Sequence, residues 1–312
     1  MTYRSPLLDL PDAVEADPPD SGVAWHYAAW SAEQRRLEAG EGFVDLSHRG
    51  VLRIEGPDRL PWLHSLTTQE LEGLEPGVPT TTLVLSPQGH VEHAMRGYDD
   101  GEAFWAHVEP GAVEALVGWL DSMRFMMRVE VADMSGEFAV VHRAGHGDAI
   151  IRRDSLQSYA DDAGPPSGTW AFEALRIAAG VPRLGLDTDH RTIPNEVGWI
   201  GSAVALEKGC YRGQETVARV HNLGRPPRRL ALLHLDGSVD HLPAHGDDVL
   251  HGDRAVGFVG SAARHHELGP IALALLKRSV PVDVDLVAGG VAAAQEVLVD
   301  PDAGLHVRPQ LR

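Results

Sequence analysis

A single cysteine, Cys210, occurs in 312 residues, which excludes an internal disulfide framework and fits a reducing compartment. Long apolar runs are missing too. The longest, residues 230–233 and 271–276, fall far short of the roughly 20 residues that span a bilayer. With no basic-then-apolar leader pattern in the first residues, the expectation is a cytoplasmic protein with no membrane partner. Positive charge is scarce: 27 Lys and Arg stand against 45 Asp and Glu, a formal net charge of −18. A general nucleic-acid binder needs cations in excess over a broad surface, so direct nucleic-acid binding is not expected, although a local basic pocket is not excluded. The 17 histidines are scattered, apart from the pair His265-His266. No Cys/His spacing matches a zinc site, and no metal is expected. There is no internal repeat, and AGHGDAI (residues 144–150) lacks the third glycine of a dinucleotide-binding turn.

What is present is the composition of a globular protein, with 43% hydrophobic and 23% charged residues. This length exceeds what one core usually holds, so two or three domains are expected. Residues 1–22, rich in Pro and Asp without a sustained period, predict a mobile arm. A helix is predicted from Trp25 to Ala39 with Ser31 as a cap, and another opens at Asp58 with Pro61 in its first turn. Residues 80–108 read as three strands reversed at Ser86-Pro87-Gln88-Gly89 and at Asp99-Asp100-Gly101. Val113, Leu116, Val117 and Leu120 recur at helical spacing, and VEVAD and EFAVVH return to strand. DDAGPPSG (residues 161–168) reads as a loop before a helix that carries Phe172, Leu175, Arg176 and Ile177. From about Arg228, short apolar runs separated by Gly, Asp and Pro predict a small β-barrel. The fold class is α+β. A folate-binding region of two α+β subdomains, residues 23–227, precedes a barrel at 228–300 and a tail at 301–312, the ligand and subdomain count being implied by the resemblance described below.

The chemistry centres on KGCYRGQE, residues 208–215. Read as a strand, it projects Lys208, Cys210 and Arg212 to one face and Gly209, Tyr211 and Gly213 to the other. Two flanking cations favour the reactive thiolate, and the glycines permit close approach of a ligand or another backbone. The alternative is an unreactive, buried cysteine. Upstream, IPNEVGW places Glu196 after a Pro-fixed turn, and a carboxylate there can accept two parallel hydrogen bonds from an amino-heterocycle such as a pterin or guanine edge. Arg176 and Arg183, in RIAAGVPRLG, are of the type that clamps a carboxylate tail. Arg225, Arg228 and Arg229 form a compact basic cluster in the sequence, suited to an anionic tail.

RIAAGVPRLG, IPNEVGW and KGCYRGQETVAR, in that order, resemble the YgfZ family of folate-binding proteins. FVDLSHRGVLRIEGPDRLPWLHSLTTQEL is similar to the opening of the related glycine-cleavage T protein, an aminomethyltransferase. The match covers about residues 25–290, with Lys208, Gly209, Gly213, Gln214 and Glu215 carrying the motif around Cys210. The resemblance implies a three-part architecture and tetrahydrofolate, or a one-carbon derivative, in a central cleft. Glu196 would read the pterin edge, Arg228 would lie near the benzoyl-glutamate part, Tyr211 would wall the ligand, and Arg176 would belong to the same site. Cys210 is the implied functional thiol. The implied role is an accessory factor for assembly or repair of iron-sulfur client proteins such as radical enzymes, with an indirect effect on tRNA methylthiolation. One departure stands out: where the T protein carries a paired acidic motif, GHVEHAMRGY has Glu92 and His93. A folate-dependent aminomethyl or one-carbon transferase using these two residues is the alternative.

Overall fold

The computed structural model describes residues 3–305. The N-terminal elements are a 3-10 turn at Pro6–Asp9, strands β1 (Val14–Glu15) and β2 (Ala24–His26), helix α1 (Trp30–Glu38), strands β3 (Phe43–Asp45) and β4 (Gly50–Glu55), and helix α2 (Arg59–Leu66). There follow β5 (Thr80–Leu85), β6 (Val91–Asp99), β7 (Ala103–Val108), α3 (Val113–Ser122), β8 (Glu130–Asp133), β9 (Phe138–Arg143), β10 (Gly147–Arg152), α4 (Leu156–Ala163), β11 (Pro166–Ser167) and α5 (Thr169–Ala178). The last part holds α6 (Gln214–Leu223) and strands β12 (Arg228–Leu235), β13 (Asp248–His251), β14 (Arg254–His265), β15 (Gly269–Lys277), β16 (Leu286–Ala288) and β17 (Val291–Val297). No helix among the described residues is long and apolar enough to cross a membrane.

The chain folds as two compact units. Unit 1 comprises residues through Leu63, Leu71–Thr81 and Met95–Leu175; unit 2 comprises His64–Glu70, Thr82–Ala94 and everything from Arg176. The sheets run β10-β9-β3-β11 and β5-β6-β7-β4-β8, and the distal ends of β5 and β6 count with unit 2. In unit 1, β3, β4 and β9 bury Val44, Val51 and Val140 in one cluster with Leu37 of α1 and Phe172 of α5. Unit 2 contains the closed barrel β12-β15-β14-β13-β16-β17. Odd-numbered residues of β12 (Ala231, Leu233 and Leu235) join Val249, Val259, Leu276 and Leu286 in its core. The barrel begins at Arg228, the expected position, within a unit that also includes earlier segments of the chain.

Three local expectations are corrected. Residues 3–22 are packed as an arm rather than mobile: Leu7 is fully buried, the Ser5 N–H donates to the Gly22 carbonyl at 2.7 Å, and Tyr3 lies against the Arg153 guanidinium at 4.2 Å. Apolar residues at 7, 8 and 10 supply the burial that the Pro/Asp composition concealed. Helix α1 begins at Trp30 instead of Trp25, because Gly168 lies flush against the Trp25 backbone and the buried Glu33 carboxylate accepts from the Tyr27, Ala28 and Gly168 N–H groups. Those bonds do what a Ser31 cap would have done. Parts of the expected 161–168 loop are the end of α4 and the strand β11, whose pairing with β3 is parallel. Residues 306–312 of the expected tail lie outside the described residues.

A buried polar bridge joins the four-stranded and five-stranded sheets within unit 1. Asp148 of β10 accepts from His107 of β7 at 3.0 Å and from His142 of β9 at 2.7 Å. Burial pushes the His107 imidazole below its usual range, against the pull of Asp148, and the nearby Arg49 and Arg96 lower it further. Its Nδ1 is buried with no hydrogen-bond partner. The unfolded chain then binds more protons than the folded one once the pH drops below the ordinary imidazole pKa of about 6.5. Stability from this group is fully present above that pH and is lost as the pH falls. In urea unfolding at pH 7 and pH 5.5, the wild type should lose more stability on acidification than His107→Asn; equal losses would assign the pH dependence to other groups.

Candidate functional site

The sequence motifs of unit 2 converge at the turn between β5 and β6. The Ser86 hydroxyl accepts from the Gln88 and His90 N–H groups at 3.2 and 3.1 Å, which closes the turn. Gly213, at the start of α6, has φ +81°, and a Cβ there would lie 2.5 Å from the Ser86 carbonyl oxygen and 2.9 Å from the Gly89 Cα. Two backbones touch where side chains would have kept them apart. Around this contact Arg212 pairs with Glu92 at 2.9 Å, the Val91 N–H donates to the Thr192 carbonyl, and Asn195 donates weakly to the Val217 carbonyl of α6 at 3.5 Å.

The octapeptide is a loop running into α6, not a strand. The single face expected to carry Lys208, Cys210 and Arg212 is therefore not formed. Lys208 is buried, and its ammonium donates to the carbonyls of His64, Thr67 (2.7 Å) and Gln69 (3.0 Å). A cation there closes the C-terminal end of α2, where carbonyls lack helical partners. Tyr211 is buried beneath Lys208, with Nζ 5.4 Å from its ring centroid, and burial pushes its phenol up to about 12. This ring is not an open ligand wall in the described conformation. The Gln214 amide makes long contacts of 3.5 Å to the Lys208 and Gly209 carbonyls, and Glu215 is exposed in the first turn of α6. Cys210 is exposed. A Cβ on Gly209 would meet nothing within 4 Å, and nothing in the structure explains why this position is glycine.

Glu196, in the 3-10 turn Pro194–Glu196, is fully buried. Its carboxylate accepts from Arg228 Nε at 2.8 Å and Nη2 at 2.9 Å, and from the Ile193 N–H at 3.1 Å. Arg228 also donates to Asp189 through Nη1 at 2.6 Å and Nη2 at 3.0 Å. Thr192 completes the set, donating to Asp189 at 2.9 Å and lying 3.3 Å from Arg228 Nη2. Burial raises the Asp189 carboxyl, but the bonds from Arg228 and Thr192 outweigh it and hold it below the usual carboxylate range. Two carboxylates share one guanidinium, so the cluster carries a net negative charge. Arg228, expected near the benzoyl-glutamate part of a folate, is thus already paired with two carboxylates of its own chain. Asp189 and Thr192 were missed in the sequence; their signal is the Asp-x-x-Thr spacing, in which the Asp189 N–H also donates to the Thr192 hydroxyl. The buried Asn195 Oδ1 has no hydrogen-bond partner.

Other expected residues go elsewhere. Arg176 is buried and bonded to Asp187 at 2.8 Å, the Val181 carbonyl at 2.6 Å and the Ser261 hydroxyl at 2.7 Å. It fastens the end of α5 to β14 of the barrel instead of facing a ligand. Arg183 is also buried, and its N–H donates to Asp187. The basic cluster at 225–229 does not form a patch: Arg229 is fully buried, bonded to Gln295, and Arg228 projects oppositely on the same strand. Glu92 and His93 likewise occupy opposite faces of β6. Burial lowers the His93 imidazole, with Glu92 opposing, while Glu92 itself is engaged by Arg212.

Comparison with known proteins places this geometry. No protein-family model matches the chain. The glycine cleavage system aminomethyltransferase T of Bartonella henselae matches with a TM-score of 0.81 at 14% identity, over 96% of this chain and 97% of that one. The fold is therefore that of an aminomethyltransferase, mixed α+β with a closed C-terminal barrel. In sequence, the aminomethyltransferase of Rippkaea orientalis is 25% identical over 91% of this chain and 93% of its own length. That of Bacillus subtilis is 23% identical over 88% and 91%. A chloroplastic protein of Arabidopsis thaliana, a transferase by provisional name only, is 25% identical over 64% of this chain, which spans 57% of that protein's length. The chain is a distant homologue of the aminomethyltransferases.

The two motif glycines should separate on substitution. Gly213→Ala adds a Cβ in the left-handed region and against a backbone oxygen, and is expected to cost more than about 2 kcal/mol. Gly209→Ala meets open space and should cost less than about 0.5 kcal/mol. Urea midpoints of the two variants check this; equal losses would contradict the packing described.

Proposed function

We propose that this chain binds tetrahydrofolate, or a one-carbon derivative, through unit 2, and serves as an accessory factor for iron-sulfur client proteins with Cys210 as its working thiol. The observation that carries the reading is the contrast within KGCYRGQE. Lys208, Tyr211, Arg212 and Gly213 are each tied to the fold, and the loop they hold presents Cys210 to solvent. The donor set fits the heterocycle of a folate. Glu196 is a fixed carboxylate engaged by a pair of N–H donors, which a 2-amino-4-oxopyrimidine edge also supplies, and Asn195 adds a buried, unpartnered acceptor beside it in sequence. It does not fit an anionic tail at Arg228, whose charge two carboxylates already balance.

Bound tetrahydrofolate supplies a carrier for a one-carbon unit at its ring nitrogens. The protein's part is to orient the heterocycle through Glu196 and to hold a nucleophilic sulfur on an anchored loop. One cysteine cannot enclose a cluster that uses four thiolates, so any direct cluster contact draws the remaining ligands from the client or a small thiol. With an excess of acidic groups, the effect on tRNA methylthiolation is indirect, through the client enzyme.

A second reading, one-carbon transfer with His93 as base, is favoured by one observation: burial keeps its imidazole neutral and able to accept a proton near pH 7. Glu92 is the weaker participant because Arg212 engages it.

Calorimetry with tetrahydrofolate and complementation of a strain lacking its own factor separate the readings. Glu196→Ala is expected to lose binding by at least about tenfold, the loss of two charge-assisted hydrogen bonds. Cys210→Ala should bind as the wild type yet fail to restore iron-sulfur enzyme activity. Full complementation by Cys210→Ala would end the role of the thiol, failure of the wild type to complement would end the accessory reading, and turnover of a one-carbon donor without any client, lost in His93→Ala, would establish the second.

A further inference from the structure

Glu196 is not open to a ligand as the chain stands. Its side chain is 1% exposed, that of Arg228 21% and that of Asp189 32%. The Arg228 side chain is therefore more exposed than that of the carboxylate it bonds, and the partner on its other edge is more exposed still. The two carboxylates hold different edges of the same fork. Glu196 takes Nε and Nη2; Asp189 takes Nη1 and Nη2. Releasing the first edge leaves the second bonded.

The Nε–Cζ–Nη2 edge presents two parallel N–H donors across one carbon. The N3–C2–NH2 edge of a 2-amino-4-oxopyrimidine presents the same pair with the same spacing. We propose that Arg228 is a placeholder for the ligand on Glu196, and that Asp189, with Thr192, is the seat that keeps the guanidinium when the ligand's edge takes its place. This deepens the folate reading and rests on it. The charges balance: the ligand edge is neutral, Glu196 and Asp189 remain ionised, and Arg228 stays on Asp189, so the exchange leaves the net charge unchanged. It also gives a use to Asp189. A buried carboxylate needs one counter-charge, and Arg228 already supplies it to Glu196. A second carboxylate on the same guanidinium makes sense as the partner that lowers the cost of letting go of the first.

The test uses two probes on the full chain, tetrahydrofolate and 6-methyltetrahydropterin, which keeps the heterocycle and lacks the benzoyl-glutamate. Affinity is read by calorimetry, and the Arg228 Nε–H signal by nitrogen-15 NMR, assigned with Arg228→Lys. Saturation with either probe is expected to shift that signal. Asp189→Asn is expected to weaken both probes about tenfold, the worth of one charge-assisted bond, because Arg228 then has only Glu196 and competes harder. A purely structural Asp189 would lower thermal stability and leave affinity unchanged, and that result overturns the proposal. Should Asp189→Asn not fold, Thr192→Val carries the same sign, with about threefold weakening on loss of one neutral contact; unchanged affinity there overturns it equally. Binding with an unmoved Nε–H signal overturns the placeholder alone, whereas failure of both probes to bind the wild type overturns the folate reading and the placeholder together.

Discussion

A carboxylate almost without access to water sets the architecture around it. Removing Glu196 from water costs several kcal/mol unless charge and hydrogen bonds are returned to it; the charge comes from a single side chain, Arg228, and the Ile193 N–H adds a hydrogen bond. That requirement fixes where Arg228 must be: at the first position of β12, on the face opposite Arg229, which turns inward at the end of the barrel. Barrel registration and the Pro194–Glu196 turn are therefore coupled through one guanidinium. The pairing of β12 with both β15 and β17 keeps its start from sliding.

A second buried charge is handled differently. The Lys208 ammonium is met by carbonyls that the end of α2 and the following turn leave without helical partners. A tetrahedral cation with three donors suits this use, whereas the planar fork of arginine suits two carboxylates. The consequence for KGCYRGQE is that most of its polar character belongs to folding. Lys208 stitches the loop to residues 64–69, Arg212 to Glu92, and Gly213 to the turn at Ser86-Gly89. What folding leaves unused is Cys210 and the unobstructed glycine before it.

The legible part of the sequence was the part written in period and punctuation. Short apolar runs such as RRLALLHL and PIALALLKR, separated by Gly, Asp and Pro, read directly as strands of a barrel, and both are buried along nearly their whole length. VAAAQEV, the closing strand β17, was not read, since alanine lends itself equally to helix and only closure against β12 decides. The loop at 208–213 defeated the same logic. A strand reading aligned Lys208, Cys210 and Arg212, but a lysine that seeks carbonyls 140 residues upstream leaves no local trace, and Gly213 in a left-handed conformation breaks the extended run. The three arginines at 225, 228 and 229 looked like a patch because sequence proximity ignores which face each side chain takes. Asp189 was overlooked for the converse reason: its partner lies 39 residues on, although its bonds to Thr192 are local. Residues 3–22 show composition misleading outright, since a few apolar residues at the right spacing outweigh many prolines and aspartates.

Charge then constrains how the proposed ligand can be held. A folate carries its negative charge on the glutamate end, and this chain carries −18, so long-range attraction does not favour that end. The arginine nearest the site is balanced twice over. Recognition must therefore come from the uncharged heterocycle, by exchange of hydrogen bonds at short range where net charge matters little and donor geometry matters most. A buried carboxylate engaged by a two-donor edge is suited to that task, because a ligand that reproduces the edge leaves no buried lone pair unsatisfied, while one lacking a donor strands a charge. The same arithmetic explains why, on that proposal, selectivity would reside at Glu196 rather than along the anionic tail.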